Sequence, residues 1–126
     1  MILKKKDTKI ATILPYKESY TVEKASAVSL WVSEFFHNSK FRTKNFIYGN
    51  AKSKNYLSEN YINIPLKNLK SKFRSTSKEY INKISKIISK EKFDIVEIHN
   101  RPLVLFELLK RINSRFIMYY HNDPLT

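Results

Sequence analysis

Apolar residues in this chain follow two rhythms that alternate along its length, and this alternation constrains the fold more than any single motif. Short apolar runs stand at Lys9–Leu14, Asn45–Gly49, Tyr61–Pro65, Phe93–Ile98 and Arg115–Tyr120. Runs of this length, closed by Pro, by the single Gly or by His-Asn, read as strands. Between them lie longer stretches in which apolar residues return every three or four positions, the spacing of one helical face. The first covers Ala25–His37, with Val28, Trp31, Val32, Phe35 and Phe36 expected on one side. The second covers Ser75–Lys90, with Tyr80 or Ile81, Ile84, Ile87 and Ile88 turned inward and Lys83, Lys86 and Lys90 in solvent. The third starts at Arg101-Pro102, since Pro is tolerated in a first turn, and continues through Leu105, Leu108, Leu109 and Ile112. Pro15 to Lys24 reads as a polar loop.

Strands that are apolar on both faces and separated by helices belong to parallel βαβ units. The expected fold is therefore α/β, a three-layer α/β/α sandwich around a mostly parallel five-stranded sheet, with right-handed crossovers. The first strand is expected in the centre, the second and third to one side, and the fourth and fifth to the other. A single domain accounts for all 126 residues. Without Cys, disulfides and thiolate metal sites are excluded. No run approaches the ~20 apolar residues of a membrane span, and the basic start Met1–Lys6 is not followed by a secretory pattern, so the cytoplasm is the default compartment.

The formal charge of +13 invites a nucleic-acid reading. Of the 24 basic residues, however, 19 are Lys and 5 are Arg, and they are scattered among abundant Asn and Ile. Readers of phosphates and base edges favour Arg forks interleaved with aromatics on one surface. The bias matches low-GC codon usage, and nucleic acid ranks last among the partners. The densest stretch, Leu66 to Lys92, carries an excess of seven positive charges, which suits an anionic membrane surface.

Parallel α/β sheets bind ligands beyond the carboxyl ends of their strands, beside a switch in strand order. Past the first strand come Pro15-Tyr-Lys-Glu-Ser and then Glu23, Lys24 and Ser26 at the start of the first helix. Past the fourth come His99, Asn100 and Arg101; past the fifth come His121, Asn122 and Asp123. A lone His at such a place commonly caps a strand, and Asp before Pro124 commonly makes a turn. Here two of three His residues follow adjacent strands directly, each succeeded by Asn, which sets them apart from chance placement. His37 receives no role. Arg101 at a helix start opposes the macrodipole, which favours a liganded role. Neither GxGxxG nor GxxxxGK[ST] is present, a nucleophile elbow is absent, and His121 with Asp123 is too small a set for a metal. No cofactor and no metal is expected.

Laid out this way, the chain resembles the N-terminal, acceptor domain of GT-B retaining glycosyltransferases of group 1, family 4. The resemblance rests on Ile10–Leu14 with Pro15, on the amphipathic helix after the first loop, on Phe93–Pro102 (FDIVEIHNRP) and on Arg115–Pro124 (RFIMYYHNDP). It implies a Rossmann-like, incomplete GT-B N-terminal domain spanning residues 1–126, whose donor-gripping half lies outside this sequence. By that resemblance His121 is the catalytic His that orients the donor sugar and stabilises charge in the transition state. His99, Asn100 and Arg101 line the acceptor side, supported by Asn122 and Asp123, while Glu23, Lys24 and Ser26 stand where the family has a Gly-rich phosphate loop. The implied partners are a nucleotide-sugar donor and a saccharide or lipid-linked acceptor in cell-envelope polysaccharide or lipopolysaccharide synthesis, at the inner face of the membrane. The chain alone is then expected to be inactive. The competing expectation is a non-catalytic α/β module that binds an anionic sugar or nucleotide.

Overall fold

A computed structural model describes residues 8–67 and 76–121. It contains β1 (Ile10–Ile13), α1 (Ala27–His37), β2 (Asn45–Gly49), β3 (Tyr61–Asn63), α2 (Thr76–Glu91), β4 (Ile95–His99), α3 (Pro102–Leu109) and β5 (Arg115–Tyr119), with a short 3₁₀ turn, Arg42–Lys44, leading into β2. The strands form one sheet in the order β3-β2-β1-β4-β5. Every pairing is parallel, so the sheet expected to be mostly parallel is entirely so among the described residues. Ile10 on β1 lies in register between Asn45 on β2 and Ile95 on β4. This is a Rossmann-like α/β fold.

Alternation along the strands divides the core in two. One face carries Ala11, Ile13, Tyr48, Val96 and Ile98 against Tyr80, Ile81, Ile84 and Ile88 of α2 and Val104 and Leu108 of α3. The other carries Leu14 and Ile47 against Val28, Val32 and Phe36 of α1. Both Tyr80 and Ile81 face inward, and the Tyr80 hydroxyl donates to the Leu14 carbonyl at the end of β1. Ser26 caps α1 by accepting from the Ser29 amide at 3.1 Å. Lys92 closes α2 with φ 56° while its amide donates to the Ile88 carbonyl, a left-handed cap that usually falls to Gly.

The structure departs from expectation at several places: α1 starts at Ala27, β3 ends at Asn63 and α3 ends at Leu109, short of Ile112, and four further differences bear on the site and its surroundings. Trp31 and Phe35 do not share the buried face of α1; they are 40% and 46% exposed, because α1 buries its 28/32/36 ridge together with Ser29. The loop after β1 is not polar throughout: Tyr20 is fully buried, its ring stacked on Tyr61 at 5.0 Å and its hydroxyl 2.7 Å from that of Ser58. Lys83 is not simply solvated, since its ammonium donates to the Pro65 carbonyl and pairs with Glu79 at 3.0 Å. β4 begins two residues later than expected and includes His99, so that side chain belongs to the strand itself. Ser75, Asn122 and Asp123, together with Lys70, Lys72 and Arg74 of the basic stretch, lie outside the described residues.

Candidate functional site

β4 and β5 end side by side, with His99 paired to Tyr119 in the ladder. Just past β4, Asn100 turns the chain at φ 55°, a left-handed conformation that Asn tolerates better than other non-glycine residues. Its amide donates to the Tyr119 carbonyl at 2.9 Å, and its Oδ1 accepts from the His121 amide at 2.7 Å. One Asn thus clamps the two strand tips together. The clamp brings the imidazoles into contact: His99 Nδ1 lies 2.7 Å from His121 Nε2, with ring centroids 5.0 Å apart.

His99 also stacks on Tyr119, at 4.8 Å and 8° between planes. From α1, Trp31 meets His121 edge-on at 5.1 Å and tilts toward His99 and Tyr119. Phe35 stacks behind Trp31 at 5.2 Å, extending an open aromatic surface. Burial, reinforced by His121, pushes His99 down to about 3 from an ordinary value of 6.5. Burial also lowers His121, against a smaller opposing pull from Glu18 on the loop after β1. Near neutral pH the pair is uncharged, and one N–H lies between the two facing nitrogens. It can donate or accept a hydrogen bond at the rim without presenting a cation. The two facing nitrogens are engaged with each other in a hydrogen bond. Among the described residues no three His, Asp or Glu side chains assemble as metal ligands.

Below this rim on the α1 face of the sheet lies a buried polar line that crosses three strands. Asn45 donates to the Thr12 hydroxyl at 2.9 Å, and Thr12 donates to Glu97 Oε1 at 2.9 Å. Tyr119 stands on the neighbouring strand, paired with His99 where Glu97 pairs with Ile117.

The other candidate residues occupy a neighbouring cleft of about 950 Å³ past the ends of β1 and β2, lined by Tyr16, Lys17, Glu23, Lys24, Lys52 and Ser53 among others. Arg101 connects the two regions, with its guanidinium 5.9 Å from the centroid of the Tyr16 ring. Glu23 accepts from Ser53 at 2.8 Å and Asn55 at 2.9 Å, bonds that lower its pKa and tie the loop after β1 to the loop after β2. Lys24 lines the cleft. Ser26 is engaged with Ser29 of its own helix. The structure therefore brings His99, Asn100 and His121 together, sets Arg101 between them and the cleft, and places Glu23 and Lys24 in the cleft.

Sequence reading did not single out Trp31, Tyr119, Glu97, Lys17 or Lys52. For Glu97 a signal existed: a carboxylate between Val96 and Ile98 in a run that reads as a buried strand. The spacing of Trp31 fits the buried ridge of α1 as well as its flank. No protein-family model and no curated protein matches the chain.

Proposed function

We propose that this chain is the acceptor-side part of a glycosyltransferase that moves a sugar from a nucleotide-sugar donor to a saccharide or lipid-linked acceptor in cell-envelope polysaccharide or lipopolysaccharide synthesis. The observation that carries the reading is the contact between His99 and His121 at the carboxyl ends of adjacent parallel strands, beside an open cleft. In sugar transfer the bond from the anomeric carbon to the nucleotide phosphate breaks, an acceptor oxygen takes its place, and positive charge develops on the sugar ring between. A neutral imidazole held at fixed angle offers hydrogen bonds that orient the sugar, without repelling that charge. In this reading His121, the more accessible ring, contacts the donor sugar, while His99, Asn100 and Arg101 border the acceptor. Trp31 and Phe35 offer an aromatic face to a sugar ring. Donor-nucleotide contacts fall to a second domain.

The sole tryptophan lies against the histidine pair, so Trp31 emission reports occupancy. Saccharide acceptors should change that emission in the 126-residue chain, and His121→Ala should weaken the response at unchanged thermal stability. The same chain, given a panel of nucleotide sugars, should show no turnover. Robust transfer, or an emission unmoved by any saccharide, would count against the proposal.

A second reading, a module that binds an anionic sugar or nucleotide without chemistry, draws support from Lys17, Lys24 and Lys52 around one cleft whose carboxylate, Glu23, already bonds Ser53 and Asn55. Under it, phosphorylated ligands bind and uncharged saccharides do not.

A further inference from the structure

His99 and His121 meet so that each ring keeps one nitrogen in reserve. The contact joins His99 Nδ1 to His121 Nε2 at 2.7 Å, which leaves Nε2 of the first ring and Nδ1 of the second. Both rings are uncharged near neutral pH. A neutral imidazole carries one N–H and one bare nitrogen, and a single hydrogen fits between the facing atoms. Two arrangements satisfy this. Either His99 Nδ1–H donates and His121 carries its own hydrogen on Nδ1, or His121 Nε2–H donates and His99 carries its hydrogen on Nε2. The surroundings separate them. His99 is 1% exposed, with Tyr119 flat against it at 4.8 Å and Trp31 tilted toward it at 5.7 Å. Among the described residues no hydrogen bond reaches its Nε2. A hydrogen there would be an N–H without an acceptor on an almost fully enclosed ring, and orphaned N–H groups are the rarer kind of unpaired polar group in folded chains. His121 is only half-buried, so a hydrogen on its Nδ1 belongs to the ring that solvent and ligands can reach.

We propose that His99 is a positioning residue that makes His121 a dedicated hydrogen-bond donor: His99 Nδ1–H occupies the lone pair of His121 Nε2, and His121 presents Nδ1–H at the rim. The role rests on reading the histidine pair as the working site. Asn100 supports it, since its Oδ1 accepts from the His121 amide at 2.7 Å and so holds the second ring against the first. The class of ligand group follows from the hydrogen count. His121 keeps no bare nitrogen, so it donates to an acceptor oxygen, whether hydroxyl, ring or phosphate, and does not draw the proton from an attacking hydroxyl. In sugar transfer it therefore steadies the donor sugar through one of that sugar's oxygens, and the proton of the acceptor hydroxyl goes to another group.

The test is nitrogen NMR of the imidazoles in the 126-residue chain near neutral pH, where couplings to the ring protons distinguish a protonated nitrogen from a bare one. His37, whose Nε2 lies 3.4 Å from the Leu57 carbonyl oxygen, serves as internal reference. In the wild type His121 should show a protonated Nδ1 and a bare Nε2, and His99 a protonated Nδ1. His99→Phe keeps an aromatic ring against Tyr119 and removes the donor. In that variant the two His121 nitrogen signals should move together, toward the averaged pattern of an unconstrained imidazole, with His37 unchanged. A bare Nδ1 on His121 in the wild type would overturn the proposal, as would a folded His99→Phe protein whose His121 signals match the wild type. If His99→Phe fails to fold, the wild-type spectrum decides by itself. No sugar enters this measurement, so the two readings part cleanly. A bare Nδ1 together with a saccharide response in Trp31 emission removes the positioning role and leaves the proposed function standing; a protonated Nδ1 with no such response does the opposite.

Discussion

His99 combines near-complete burial with a second imidazole at 2.7 Å, so its protonation and the native fold compete. Its folded pKa is depressed to about 3 while the unfolded chain keeps an ordinary value of 6.5. Between those limits the unfolded state binds more protons, so stability is present above about 6.5 and is lost as pH falls toward about 3. At about 1.4 kcal/mol per pH unit, the full loss is on the order of 5 kcal/mol, a large share of a small domain's stability. Glu97 works in the opposite sense: its folded pKa is raised, so its contribution declines as pH climbs from the ordinary carboxyl range through that raised value. Urea unfolding followed from pH 7 to pH 4 should show a falling midpoint, and His99→Phe should flatten that slope. A slope the same in both proteins would remove His99 as the source. The neighbourhood of His99 and His121 was legible in the sequence, because residues just past parallel strands share one edge of the sheet. Glu97 and Trp31 were not, since a strand pattern does not tell which face a polar residue takes, nor a helical spacing where a ridge ends and its flank begins.

Among the elements, strand order and all three helices were readable from the sequence, and the errors lie at boundaries, in one loop and on the flank of α1. Tyr20 looked like a loop residue because the sequence around it is polar; only the stack on Tyr61, which belongs to a strand 41 positions away, shows that it closes the α1-side core. Gly49 illustrates the same long-range dependence. A Cβ at that position would sit 3.0 Å from the Tyr61 hydroxyl oxygen and 3.3 Å from Leu14 Cδ1, with Tyr61 buried and stacked on Tyr20. The ring cannot move aside without opening that stack. Gly49→Ala should therefore destabilise the protein by about 1–3 kcal/mol, the usual range for overpacking, despite alanine's better fit to a strand. Chemical denaturation measures this directly. A neutral or stabilising result would show that the Tyr61 hydroxyl has room to yield.

For the whole molecule, the large positive charge has few carboxylates to meet it. Lys86, Lys90 and Arg111 share one shallow face of α2 and the end of α3, close to Ser85 and Ser89. Among the described residues no helix is long and apolar enough to cross a membrane, so contact with a bilayer would be by charge at its surface. Sedimentation with anionic vesicles should retain the chain at ~0.01 M salt, where charges act over about 30 Å, and release it near ~1 M, where they act over about 3 Å. Retention indifferent to salt would exclude that electrostatic mode. The pairing of β1 has another consequence, for the order of assembly. Its neighbours on the two sides come from Asn45–Tyr48 and from Ile95–Ile98, so the strand at the middle of the sheet acquires its second partner only after some eighty further residues have been made. During synthesis the hydrophobic midline stays half-dressed until β4 arrives, and commitment to the native topology waits for that strand.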